Sequence, residues 1–292
     1  MIRKFIKRLV KPLFQFFGLE VTSAESKPKP PPIYDDLEKV LTLNRVGIRA
    51  SYECPIDQCV ILSGFSFAET GWHPFVEAYR DINARSGKPR YPGSFLEKYY
   101  STWTPENSAD AVAGFANAPA ALKSIAPFTL HAPWMDARPL DRQALMERII
   151  VDENTAAGCP ELDAREGYGL HGPVSEKKGE IEFQRLVKIY ESIKAFGYDR
   201  TQGEGDVTVI GIEYNEEFRF CVMHGQHRAA AVAALGLKTV PVSITKVVHY
   251  TEISHWPQVY RGYWSQIQAQ KFIEHLFTFD SRIWAREKGL IL

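Results

Sequence analysis

The stretch FRFCVMHGQHRAAAVAALGLKTVPVSIT, residues 218–245, decides how the chain is read. A short apolar run ends at Met223, a glycine turn follows, and an alanine-rich segment leads to a second apolar run after Pro241. This pattern predicts strand, tight loop, helix, strand. Such an order aims a helix N-terminus at whatever sits above the sheet. Gly225 lets the backbone approach closely, Gln226 follows in the same turn, and Arg228 sets a planar cation beside the exposed amides. Together they predict an anion site, and phosphate is the anion expected. An ordinary strand-to-helix turn with a surface arginine would carry the same glycine; His224 and His227 around the turn weigh toward function.

Gly225, His227, Arg228, Ala231, Leu235, Gly236, Val240, Pro241 and Val242 resemble the G-x-H-R-x-x-A-x-x-x-L-G-x-x-x-V-P-V signature of the ParB/sulfiredoxin-like fold. Upstream, SIKAFGYD (residues 192–199) and the strand-like residues 207–212 are similar to the helix, turn and strand that precede the signature. The resemblance implies a small mixed sheet with helices, binding a nucleotide whose phosphates sit over the G-x-H-R turn. Some members of the family are nucleotide hydrolases or kinases. Sulfiredoxins place their reactive cysteine where Gln226 stands, so that activity is not expected here. Small-molecule kinases of the fold usually carry an aspartate where His224 stands. The blocks GPVSEKKGEIE, GQHRAAA and WPQVYRGYWS also look similar to uncharacterised ParB-like proteins of bacterial surface-polysaccharide gene clusters, which implies a glycan or lipid-linked acceptor.

Working back from the turn, residues 168–185 read YGLHGPVSEKKGEIEFQR. This segment opens with glycines and a proline, passes Lys177 and Lys178, and enters a helix through Gly179, with Glu180 and Glu182 in its first turn. The expectation is a loop that folds two lysines over phosphates bound at 225–228, as mobile point charges. A solvated loop whose charges only aid solubility fits the same residues. Glu180 or Glu182 would hold Mg2+ or accept a hydroxyl proton. His171 is a further candidate ligand or base, although a lone loop histidine is usually neither.

Phosphoryl transfer asks for positioning and charge neutralisation more than covalent help. Gly225, Gln226 and Arg228 would supply the cradle, His227 a phosphate hydrogen bond, and His224 or Glu182 the base. Histidines titrate near neutral pH, where a general base works best. ATP or another nucleoside triphosphate, with Mg2+, is the cofactor expected.

Composition sets the outer limits. The chain has 292 residues, 45% of them hydrophobic, which is ample for a sizeable core. Lysine plus arginine equals aspartate plus glutamate at 35 each, so no global field points to nucleic acid. Four cysteines lie without framework spacing, which suits a reducing compartment. Cys54 and Cys59 could join a metal site, but no second cysteine or histidine pair follows them, and buried thiols are the simpler reading.

At the start, MIRKFIKRLVKPLFQFFGLEV (residues 1–21) alternates an apolar face (Ile2, Phe5, Ile6, Leu9, Leu13) with a basic one (Arg3, Lys4, Lys7, Arg8, Lys11). A helix of this kind lies in the interface of an anionic membrane, each basic residue adding about 1 kcal/mol of attraction. No apolar run is long enough to span a bilayer, and no small-residue cleavage site marks a secretory signal. A basic helix docked on the protein's own core is the other reading. Residues 22–33 are a proline-rich tether.

Residues 34–166 read as an accessory region with mixed elements: helices over 36–43 and 74–83, a short strand over 59–62, and a helix capped near Ser108. The aromatic cluster over 91–112 could stack on a base or sugar, but core is the commoner explanation. After Thr245 an aromatic C-terminal extension, 246–292, looks like docking helices rather than a helix-turn-helix, which makes nucleic-acid binding unlikely.

The expectation is therefore an α+β protein with a ParB/sulfiredoxin-like core over 167–245 and helical accessory regions. The function expected is a nucleotide-dependent phosphotransferase, peripheral on the cytoplasmic membrane face. A non-catalytic nucleotide-binding adaptor is the alternative from another class, and nucleic-acid binding through a local basic surface is a third.

Overall fold

The computed structural model describes residues 29–85, 87–201 and 205–292. The expected membrane helix over 1–21 and most of the tether lie outside these residues. Six strands form one mixed sheet: β1 (Ile33–Tyr34), β2 (Ser51–Pro55), β3 (Cys59–Val60), β4 (Val207–Tyr214), β5 (Glu217–His224) and β6 (Thr239–His249). Their order is β1-β2-β6-β4-β5-β3. Around the sheet, in chain order, run α1 (Leu37–Arg45), α2 (Pro74–Ala84), α3 (Phe95–Thr102), α4 (Pro139–Ala156) and α5 (Glu176–Phe196). Then follow α6 (Gln226–Ala234), the short α7 (Pro257–Tyr260), α8 (Gln266–Thr278) and α9 (Ser281–Glu287).

The quoted stretch folds as its pattern predicts, with β5, α6 and β6 in succession. β4 and β5 pair antiparallel, and Asn215 and Glu216 link them with φ of 53° and 66°. Positive φ at both link residues suits the twist of a two-residue hairpin. β6 then pairs parallel with β4 on its other side.

Alternation along the strands divides the core. Val207, Val209, Phe220, Val222, Val240 and Val242 pack on one face with Phe183 and Leu186 of α5 and with Ala229–Val232 of α6. Ile212, Cys221 and Val248 pack on the other face with Trp134, Trp264, Phe272 and Ile273. In β6 the inward positions shift from Val240 and Val242 on one face to Val248 on the other. A bulge explains this: Val209 pairs with Ile244 but Ile210 with Lys246, so Thr245 is an extra residue, and a one-residue slip exchanges the faces.

The expected core boundary at Thr245 therefore falls inside β6. Residues Pro31–Leu292 form one compact unit, with β1 and β2 on one side of the sheet and β3 on the other, all drawn from residues ahead of the expected core, β1 beginning at the last residue of the tether. From the C-terminal extension, Trp256, Trp264, Phe272 and Ile273 cover the second face of the sheet, while Trp284 and Ala285 of α9 join the first core. The aromatic segment over 91–112 is core: Tyr91, Tyr99, Tyr100 and Trp103 are buried. Ser108 caps no helix; its hydroxyl donates to the Thr129 carbonyl oxygen at 2.5 Å, and the residues after it form turns. Phe65 lies 5.0 Å from Trp72 and 5.1 Å from both Trp103 and Trp284, centroid to centroid, which ties α9 to this cluster. Cys54 and Cys59 are buried with their sulfurs 3.6 Å apart. Among the described residues no group of three or more histidine, cysteine or carboxylate side chains is placed to hold a metal, and no helix is long and apolar enough to cross a membrane.

Candidate functional site

β5 ends at the exposed His224, which pairs with Thr208 at the start of β4. Gly225 then turns the chain with φ +85°, and a Cβ there would lie 2.8 Å from Arg228 Nη2. The left-handed backbone calls for glycine, since an arginine tip can move aside but φ cannot. α6 begins at Gln226 with no side-chain cap, and its leading amides face the end of the helix, where an outside acceptor can meet them. Ala229–Val232 bury the far side of the helix, and the Tyr79 hydroxyl of α2 donates to the His227 carbonyl oxygen at 3.1 Å. The turn is thus held rigidly against the core.

The side chains around it divide into three groups. Arg228 donates to the carbonyl oxygen of Gly205 and to the Tyr198 hydroxyl (3.3 Å), so its guanidinium binds the segment leading into β4. That segment is itself fixed by Arg200, whose guanidinium holds Asp206 at 2.6 and 2.7 Å. Gln226 Oε1 is buried without a hydrogen-bond partner. His224 faces solvent.

Behind the turn lies a buried ionic network. Glu182 is 3% exposed and sits 3.0 Å from Lys178, 3.1 Å from Arg185 and 3.7 Å from His227. Lys178, also 3% exposed, donates to Asn154 Oδ1 at 2.9 Å. Burial pushes the Glu182 carboxyl up, but His227, Arg185 and Lys178 together pull it below its ordinary value. His227 is pushed down to about 4, chiefly by burial, with Arg185, Lys178 and Arg228 adding and Glu182 opposing. At neutral pH its ring is therefore neutral, and Lys178 and Arg185 are the cations that then hold Glu182 charged. The expectation that His227 titrates near neutrality does not hold, because the fold encloses it between Phe75, 4.6 Å away, and Glu182.

The loop expected to fold Lys177 and Lys178 over the phosphates is not formed. Ser175 instead caps α5, accepting from the Lys178 amide at 3.2 Å, and both lysines stand in the first helical turn. Lys177 reaches away to Glu161 (2.7 Å) and the Gly158 carbonyl oxygen (3.2 Å). Gly179 does not open the helix; it lies within it, where the Tyr91 ring occupies the space of a side chain, 2.2 Å from a Cβ built there. Glu180 accepts from Gln184 one turn on (2.7 Å). The structure thus gathers Glu182, Lys178 and His227 behind the turn 224–228, and leaves Lys177 pointing elsewhere.

Other members of this region carry no local signature in the sequence. Asn154 is contributed by α4 and Tyr79 by α2, and both arrive through long-range packing. His73 caps α2 by accepting from the Phe75 amide at 3.2 Å, and its pKa falls to about 3 through burial and the nearby His227. No family model, curated protein or solved structure matches this chain.

Proposed function

We propose that the turn 224–228 binds the phosphates of a nucleotide and that the protein is a nucleotide-dependent phosphotransferase acting on a glycan or lipid-linked acceptor in bacterial surface-polysaccharide assembly. One observation carries this reading. α6 begins without a cap, directly after a left-handed glycine, at the end of β5. Such a helix end favours negative charge through its leading amides and its dipole. His224, exposed at the last position of β5, is the base this geometry favours, because His227 and Glu182 are enclosed behind it. ATP with Mg2+ is the proposed donor. Glu182, enclosed by cations, does not suit a metal, and Glu180, two residues away on α5, faces another side of the helix, so an Mg2+ ion would be held by the phosphates and water.

A second reading is a nucleotide-binding adaptor without turnover. It is favoured by the engagement of the charged side chains: Lys178 and Glu182 satisfy each other, and Arg228 binds the Gly205 carbonyl oxygen. In either reading the basic amphipathic segment 1–21 would hold the protein at an anionic membrane.

The test is the thermal stability of the full chain with and without ATP, CTP, GTP and a sugar diphosphate, each with Mg2+, beside Arg228→Ala. Ligand at a hundred times its dissociation constant stabilises by about 2.7 kcal/mol. The expected result is a raised melting temperature with one nucleotide and a much smaller rise in Arg228→Ala. No shift with any of the four would overturn the phosphate site. Consumption of the bound nucleotide with an acceptor then separates enzyme from adaptor, and sedimentation with anionic vesicles, lost on deleting residues 1–21, tests the membrane surface.

A further inference from the structure

The connection between α1 and β2 runs Arg45, Val46, Gly47, Ile48, Arg49, and all five residues are exposed. Val46 leaves 66% of its surface in water and Ile48 54%. A single exposed aliphatic side chain is ordinary. Two in one short connection, each beside an arginine, make a small apolar tip with a cationic rim.

The tip is held rigidly. The Gly47 amide donates to the Asn44 carbonyl oxygen (3.1 Å) and the Ile48 amide to that of Leu43 (2.9 Å), with Gly47 at φ +80°, so α1 ends in a closed turn. The Asn44 side chain clasps the far side of the connection. It accepts from the Ala50 amide at 2.9 Å and donates to the Ala50 carbonyl oxygen at 3.2 Å. Little ordering is therefore needed when the tip meets a partner.

Topology sets where the tip lies. β1 and β2 are parallel, with Ile33 opposite Ser51, and the Ser51 amide donates to the Pro32 carbonyl oxygen at 2.9 Å. The residues that precede the two strands therefore leave the sheet at the same end. One set is the tip, and the other is the proline-rich tether that leads back to the basic segment 1–21. Ile33, 38% exposed, adds apolar surface at this end. The exposed acids of the β1–α1 junction, Asp35, Asp36 and Glu38, stand at the opposite end of α1, whose nine residues span about 13 Å.

We propose that Arg45–Arg49 is a second membrane contact, seated on an anionic bilayer. Val46 and Ile48 enter the headgroup boundary, and Arg45 and Arg49 meet lipid phosphates. Charge selects this occupant, because an apolar protein pocket would cover the aliphatic tip and leave both arginines without anions. By itself so small a contact is weak. Once 1–21 is on the bilayer, the tether keeps the tip at high local concentration, and binding becomes intramolecular. The proposal rests on the membrane reading of 1–21 and deepens it, by naming the side of the unit Pro31–Leu292 that faces lipid.

The test uses the full chain with vesicles of phosphatidylcholine and phosphatidylglycerol, beside phosphatidylcholine alone. The four native cysteines are buried, so a polarity-sensitive fluorophore can be attached at Val46→Cys and, for comparison, at Lys238→Cys. The Lys238 side chain is 82% exposed and precedes Thr239, which pairs with Pro55 at the other end of β2. The expected result is a blue shift at 46 on the anionic vesicles, with quenching by nitroxide-labelled lipid, while the label at 238 stays as in water. Val46→Asp with Ile48→Asp, both at exposed positions, should fold and bind these vesicles roughly tenfold more weakly. Arg45→Ala with Arg49→Ala should weaken binding roughly fivefold for each charge. A chain that sediments with vesicles while the label at 46 stays in water overturns the proposal and leaves the membrane reading of 1–21 standing. Equal shifts at 46 and 238, or unchanged binding in both double variants, also overturn it. No sedimentation with anionic vesicles overturns the proposal and that reading together.

Discussion

Glu182 shows how a residue chosen for chemistry can answer first to packing. Its carboxylate and the Lys178 ammonium are 3.0 Å apart and each is 3% exposed, so neither has water to fall back on. Removing one partner of such a pair leaves an uncompensated buried charge, which costs about 3–5 kcal/mol. Glu182→Ala is expected to lower stability by that amount, measured by urea unfolding. Arg185, itself a cation, offers the stranded Lys178 ammonium no compensation. A loss below about 1 kcal/mol would show that the network is not needed by the fold, and would make Glu182 a catalytic candidate again.

At the level of the element, α5 sets a propensity against a contact. Gly179 lies inside the helix, where alanine is better by about 1 kcal/mol. A Cβ there, however, would come within 2.2 Å of Tyr91 Cζ and 2.3 Å of its hydroxyl oxygen, and Tyr91 is 3% exposed. Clashes in a packed core cost about 1–3 kcal/mol, so the contact should win. Gly179→Ala is expected to lower the melting temperature. A rise would mean that Tyr91 moves aside freely and that the α5 contact is loose.

For the whole molecule, the histidines predict a dependence on pH. His73, His227 and His275 have pKa values lowered to about 3, 4 and 4, and burial is the leading cause for each. In the unfolded chain a histidine titrates near 6.5. Between roughly pH 6.5 and 4 the unfolded state therefore binds more protons than the folded one, and stability must fall as pH falls through that window. Glu182, with its folded pKa lowered, extends the loss below the ordinary carboxylate range. Urea midpoints should be flat above about pH 7 and decline steadily toward pH 4.5. A flat profile across this range would contradict the burial of these rings. The same three histidines belong to different parts of the chain, so the decline measures the unit Pro31–Leu292 as one body.

How far the sequence could be read follows from the range of the forces involved. The order β5, α6, β6 and the need for Gly225 were legible because alternation, helical spacing and a left-handed turn are local properties of neighbouring residues. The Ser175 cap was local as well, but Gly179, inside α5, drew the expected helix start too far along the chain. Of the three strands outside β4–β6, β3 fell within the apolar run 59–62. β1 and β2 escaped: β1 is only two residues long, too short for any period to show, and β2 ends in a proline that reads as a turn. Whether Lys178 meets a phosphate or Glu182, and whether His227 is neutral, depended on Asn154 and Phe75 arriving from elsewhere. By itself the sequence determined a mixed α/β chain with a glycine turn opening a helix, since these are set by backbone sterics and spacing. Only the tertiary structure decided which charges are buried together, because desolvation acts through every element that packs around a group.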